Sequence, residues 1–263
     1  MKICRFQHEG NIAYGLIEDF AGTSTITRSL DHFPAGFDDF HAAEGSSIPL
    51  SAARLLAPTL PSKIVCVGRN YREHAKELNH EIPTSPLIFL KPPSAVIAAG
   101  DEIRRPHTLS QRVDYEGELG VVIGRRCHAL RDEDDVRSYI LGYTCVNDVT
   151  ARDLQNTDGQ WTRAKGFDTF CPLGPVIANG IDPWRGVRIE TRLNGERRQS
   201  GTTSDFIFPL DVILRYITSI MTLEPGDVIA TGTPAGVSPM QPGDVVEVTV
   251  EGLGTLTNPV VNA

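Results

Sequence analysis

The chain has 263 residues, 40% hydrophobic and 22% charged, with 24 glycines and 18 prolines, the composition of a soluble globular protein rich in turns. A formal net charge of −8 at pH 7, without any block of lysines or arginines, argues against nucleic acid as a partner, because phosphate binding needs a basic footprint. The opening MKICRFQHEGNIAYGLIEDF lacks the apolar core of a signal peptide and no later apolar run approaches the ~20 residues that span a bilayer, so a cytoplasmic protein with no membrane partner is expected.

In chain order, two short strands flank a turn at Glu9-Gly10-Asn11, and Gly/Ser/Asp-rich connections follow. The two prolines of LLAPTLPSK mark a boundary. Residues 1–57 therefore read as a small N-terminal β-containing domain and 58–263 as the main domain. Beyond Ile64, β-branched runs alternate with Pro/Gly turns: SAVIA, GELGVVIG, YILGYTCVND, GPVIA, VRIETRLNG, DVIATGTP and DVVEVTVEG. Helical spacing is confined to 72–78, 132–138 and 210–221. These patterns predict a β-rich α+β fold with few helices, no βαβ periodicity and no repeat. The loop TGTPAG lacks the GK[ST] ending of a phosphate loop, and EGLGTLTN is no dinucleotide fingerprint, so a nucleotide cofactor is not expected. Five scattered cysteines without metal-ligand spacing read as reduced, buried small hydrophobes.

Chemistry is concentrated in four places. In VDYEGELGVVIG, Asp114, Glu116 and Glu118 occupy alternate positions and would share one face of a strand, with Tyr115 and Leu119 on the other. Carboxylates about 5 Å apart repel by roughly 3 kcal/mol at an effective dielectric of ~20, so water, a shared proton or a cation must offset them. Asp148, in CVNDVTARD, can return to that face, and Glu116, Glu118 and Asp148 are the donor types that hard divalent cations take. A solvated strand face with an unrelated capping aspartate gives the same pattern. In VGRNYREHAKELN, His74 and Glu77 stand three apart on one helix side, either as a carboxylate-oriented general base or as an ordinary surface pair. Arg152 and Gln155 follow Asp148 and could hold a substrate carboxylate; Lys165, in TRAKGF, either stabilises an oxyanion or is a surface charge.

Taken in order, GRNYREHAKEL, LIFLKPPSAVI, VDYEGELGVVIG, VNDVTARDLQ, GQWTRAKGFDTFCPLGP and DVIATGTPAGV resemble the fumarylacetoacetate hydrolase family, nearest its acylpyruvase, oxaloacetate decarboxylase and 2-hydroxyhepta-2,4-diene-1,7-dioate isomerase types. The resemblance implies a roll of mixed β-sheets, with Glu116, Glu118 and Asp148 holding Mg²⁺ or Mn²⁺ and Asp114 outside the ligand set. It implies catalysis by His74, Glu77 and Lys165, with Arg152, Gln155, Lys91 and Thr233 contacting a small anionic 2-oxo acid, in a homodimer. Where animal fumarylacetoacetate enzymes carry an aspartate seven positions before the lid histidine, this chain has Val67, so water or a substrate oxygen would complete the metal shell. The expected activity is metal-dependent hydrolysis of a C–C bond in an acylpyruvate-like substrate through an enolate. Oxaloacetate decarboxylation or tautomerisation, or dienedioate isomerisation, would use the same site. A non-catalytic metal-binding domain would have lost a central residue, and none is lost.

Overall fold

A computed structural model describes residues 1–20, 23–40, 47–79 and 81–263. The N-terminal strands are β1 (Lys2–His8), β2 (Asn11–Phe20), β3 (Thr23–Leu30), β4 (Ile48–Pro49) and β5 (Arg54–Leu56). They are followed by β6 (Ile64–Gly68), helix α1 (Arg72–Glu77), β7 (Leu87–Lys91), β8 (Val96–Ile97), β9 (Ile103–Arg105), β10 (Val113–Asp114) and β11 (Gly117–Ile123). Then come β12 (Ile140–Asn147), β13 (Thr150–Ala151), α2 (Arg152–Thr157), α3 (Thr162–Lys165), β14 (Cys171–Ala178), β15 (Arg188–Leu193) and β16 (Glu196–Thr202). Helix α4 (Leu210–Ile220), β17 (Val228–Ala230), β18 (Val245–Val250) and β19 (Gly254–Asn262) complete the chain. The molecule is built mostly of sheets, as its alternating β-branched runs predict.

The expected N-terminal hairpin forms: β1 and β2 pair from Lys2↔Ile17 to His8↔Asn11, and Glu9 and Gly10 both take positive φ, as a tight hairpin turn requires. A twelve-stranded sheet runs β4-β3-β2-β1-β14-β12-β11-β17-β6-β7, with β5 attached to β1 and β8 to β14. It is mixed, since β17 lies parallel to β6 and antiparallel to β11. A five-stranded sheet, β16-β15-β18-β19-β9, packs against it, and β10 pairs with β13 in a two-stranded ladder.

Alternation along the strands builds a core on each face. Val65, Val67, Leu119, Val121, Ile123 and Ile229 point toward α4 (Ile213, Leu214, Ile217) and the second sheet (Val248, Val250). Ile64, Cys66, Val122, Val228 and Ala230 point the other way, with Leu173, Ile177 and, from the N-terminal strands, Ile3 and Leu16. All seven residues of β11 are buried. Any charge on that strand therefore sits in the interior, where it must find partners.

Two expectations change. The 132–138 helix is only a 3₁₀ turn, Val136–Tyr139, capped by Asp135, whose carboxylate accepts from the Arg137 N–H. The short helices α2 and α3, six and four residues long, carry no periodicity that a sequence window can see.

Candidate active site and metal centre

Strands β11 and β12 pair antiparallel with Gly117↔Asn147 and Glu118↔Val146, so the start of one lies beside the end of the other. Asp148 N–H donates to the Glu116 carbonyl at 2.8 Å, and Glu116 N–H donates to Asn147 Oδ1 at 3.0 Å. Glu116, Glu118 and Asp148 each offer an oxygen within 4.8 Å of the others, and all three are buried. Asp114 departs from simple strand alternation. The ladder breaks between β10 and β11, and its carboxylate accepts from Arg152 Nε and Arg112 Nε, both at 2.9 Å.

The short helices bring cations to these carboxylates. Lys165, at the end of α3, donates to Glu116 Oε2 at 2.8 Å and Asp148 Oδ2 at 2.6 Å. At 1% exposure it is not a surface charge. Arg152, opening α2, reaches Asp114, Glu116 Oε1 and Gln155 Oε1. Burial would raise the Glu116 carboxyl, but the Lys165 and Arg152 charges outweigh it and hold the group well below the usual carboxylate range. Glu118 goes the other way: burial, then the Asp148 and Glu116 charges, push it well above that range, opposed by the Gly232 N–H at 2.7 Å.

Lys91 was expected to contact substrate. Its ammonium instead sits behind Asp148 and donates to the Val149, Lys165 and Phe170 carbonyls at 2.9, 2.8 and 2.8 Å. Asp148 Oδ1 lies 2.8 Å from that nitrogen yet accepts no hydrogen bond, because all three protons are committed elsewhere. A buried anionic oxygen without a donor, beside a carboxylate driven toward its neutral form, fits a hard divalent cation such as Mg²⁺ or Mn²⁺. Glu116, Glu118 and Asp148 are the residues that would hold it.

Helix α1 stands over this cluster. His74 is 4% exposed, with Nδ1 3.2 Å from Glu77 Oε2. The Gly236 N–H donates to both Glu77 oxygens, at 3.0 and 3.2 Å, tying the helix to the TGTPAG loop. Burial works against the charged form of Glu77, yet the bonds from His74 and Gly236 outweigh it and lower its pKa. Gly236 has φ +108°, and an added Cβ would lie 2.1 Å from the Arg198 carbonyl oxygen, so the position admits only glycine.

A cavity of about 170 Å³ joins these parts. His74, Glu116, Glu118, Asp148, Arg152, Gln155, Lys165 and Thr233 all line it; Lys91 does not. The Thr233 hydroxyl donates to the Gly117 carbonyl at 2.9 Å and accepts from Gln199 at 2.8 Å. Arg69, Phe89, Asn156 and Trp161 also line it and were not foreseen. Arg69 lies inside GRNYREHAKEL and Trp161 four positions before Lys165, but no spacing rule marks either. The two loop glycines that hold Glu118 and Glu77 were missed too, because their contribution is a backbone N–H.

A family model described as fumarylacetoacetate (FAA) hydrolase C-terminal matches residues 63–261. The chain belongs to the fumarylacetoacetate hydrolase family. A second model, Rv2993c-like N-terminal, matches residues 1–58. Among relatives in the fumarylacetoacetate hydrolase family, Protein Rv2993c of Mycobacterium tuberculosis is 47% identical over 265 residues, covering 99% of this chain and 98% of that one. Oxaloacetate tautomerase YisK of Bacillus subtilis is 43% identical over 222 residues, covering 80% of this chain and 73% of its own. The crystal structure of 2-hydroxyhepta-2,4-diene-1,7-dioate isomerase from Mycobacterium marinum superposes with a TM-score of 0.89 at 45% identity, covering 100% of this chain and 98% of that one. Among the described residues no helix is long and apolar enough to cross a membrane.

Proposed function

We propose that this enzyme interconverts the enol and keto forms of a small 2-oxo acid of the oxaloacetate type, with a divalent cation held by Glu116, Glu118 and Asp148. The observation that carries the reading is one small cavity lined both by those carboxylates and by a buried imidazole oriented by Glu77. At about 170 Å³ it is below the range of drug-sized sites and suits a compact metabolite. The similarity to an oxaloacetate tautomerase and to a dienedioate isomerase supports proton transfer over bond cleavage.

When bound, the cation supplies Lewis acidity that favours negative charge on the 2-oxo group. The chain's own residues do the rest. His74 carries a proton between the substrate's enol oxygen side and C3, and Glu77 fixes its tautomer through Nδ1. Lys165 holds Glu116 and Asp148 in place and lends positive charge to the cavity floor. Arg152 and Gln155, bonded to each other, present polar groups to the substrate carboxylate, and Lys91 positions Asp148 from behind. A second reading, hydrolysis of an acylpyruvate, draws on the same His74–Glu77 pair, which equally suits taking a proton from water.

The test is the decay of enol-oxaloacetate absorbance with Mn²⁺-loaded protein and a chelated control. Metal-dependent acceleration is expected. Absence of acceleration, together with equal acetate and pyruvate from acetylpyruvate by proton NMR, would replace tautomerisation with hydrolysis.

A further inference from the structure

We propose that Arg69 binds the distal carboxylate of the substrate and selects a dicarboxylic 2-oxo acid over a monocarboxylic one; this rests on the 2-oxo acid reading above. Four charged or chargeable bases line the cavity: Arg69, His74, Arg152 and Lys165. Three are already engaged, His74 by Glu77, Arg152 by Asp114 and Glu116, and Lys165 by Glu116 and Asp148. Among the described residues Arg69 has no carboxylate partner and donates no hydrogen bond. Its guanidinium is nonetheless partly removed from water, and burial lowers its pKa. A cation in that state gains from an anionic ligand, and a planar fork matches a carboxylate.

Position supports the assignment. Arg69, Phe89 and Trp161 are the residues that line both the small cavity and the wider groove outside it. Arg69 therefore stands at the mouth, while the three carboxylates form the floor. A substrate whose 2-oxo acid head lies on the floor extends its far end toward Arg69. Phe89 and Trp161, whose rings meet edge to face at 5.1 Å, share that mouth with Arg69 and carry no charge of their own.

The backbone at this place is held in a rarely adopted conformation. Arg69 has φ +58°, uncommon for a long side chain. Its neighbour Asn70 is fully buried and anchors the turn: its amide donates to the Phe208 and Thr231 carbonyls at 3.2 and 2.9 Å, and its Oδ1 accepts from Phe208 N–H at 2.8 Å. Gly68, on the other side, lets the Trp161 ring come so close that an added Cβ would lie 3.0 Å from it. Strain of this kind persists where surrounding contacts over-determine it, and here those contacts fix where the Arg69 side chain leaves the backbone.

The experiment compares wild type, Arg69→Met and Arg69→Lys, each loaded with Mn²⁺ and checked for unchanged Mn²⁺ affinity by calorimetry. Two probes are used: oxaloacetate, with kcat and KM from enol decay, and oxalate, which has a chelating head and no distal group, with its Kd from calorimetry. Arg69→Met is expected to raise the oxaloacetate KM about 30-fold with kcat changed by less than about threefold, and to leave oxalate binding unchanged. Arg69→Lys, which keeps the charge without the fork, should recover part of the loss. An unchanged KM, or equal weakening of oxalate and oxaloacetate, overturns the assignment while the 2-oxo acid reading stands. A wild type that neither turns over oxaloacetate nor binds oxalate removes that reading, and the Arg69 proposal with it.

Discussion

Glu118 shows how a single residue is suited to binding rather than to stability. Its carboxylate lies in the interior beside Glu116 and Asp148, and the Gly232 N–H is its one hydrogen-bond donor among the described residues. Glu118→Gln keeps the shape and the acceptor for Gly232 while removing the repulsion. The metal-free variant should melt about 2–6 °C higher than wild type by calorimetry, while Mn²⁺ affinity drops by about tenfold or more. A lower melting temperature with intact metal binding would refute the site. Lys165 is the converse case. Lys165→Met would leave Glu116 and Asp148 short of a buried partner, and denaturant unfolding should show a loss of about 3–5 kcal/mol. The cysteines belong at this scale too. All five are buried, and burial pushes the Cys4, Cys145 and Cys171 thiols up to about 12. They should stay unreactive toward a disulfide reagent in the native protein, as the scattered spacing suggested.

Among the elements, α1 is the one whose stability is borrowed. Six residues cannot sustain a helix alone, and its last turn is tied to the TGTPAG loop through Glu77 and Gly236. Gly236→Ala would force a Cβ against the Arg198 carbonyl at a positive φ, so kcat should fall about 10- to 100-fold while Mn²⁺ affinity is unchanged. The tether also has a pH sign. Because the Glu77 pKa is lower in the folded state, its contribution is complete above the ordinary carboxylate range and is lost as pH falls through the lowered value. The gap in unfolding midpoint between wild type and Glu77→Gln, measured near pH 7, should therefore narrow as pH falls below the ordinary carboxylate range. A gap that widened in acid would contradict the tether. The long central strands such as β11, β12 and β18 were readable in the sequence because they bury one or both faces at a period of two, whereas α2 and α3 are too short to show a period and yet deliver Arg152 and Lys165.

At the scale of the whole molecule, the N-terminal strands join the central sheet through Lys2↔Ala178 and Ile3↔Ile177, and Ile3 and Leu16 share a core with Val122 and Ile177. Shared core predicts one cooperative unfolding transition in calorimetry; two separate transitions would make 1–57 an independent domain. We propose that the chain is a homodimer, as its family resemblance implies. Strand β7 ends the twelve-stranded sheet with an edge that no strand among the described residues pairs, and it exposes Leu87 and Leu90, a surface suited to a second copy. Light scattering at micromolar concentration should give twice 28.7 kDa, and a monomer mass would dismiss it.

The sequence by itself determined the β-rich class, the acidic group Glu116, Glu118 and Asp148, and the His74–Glu77 pair. Alternation and i,i+3 spacing are local rules, and ordered motifs name a family. Only the tertiary structure decided that Asp114 turns away to Arg152, that Lys91 backs Asp148, that two glycine N–H groups hold Glu118 and Glu77, and that Arg69, with no carboxylate partner among the described residues, stands at the cavity mouth. Each of those facts depends on which distant strands become neighbours and which hydrogen-bonding groups are already taken, and no local period encodes either.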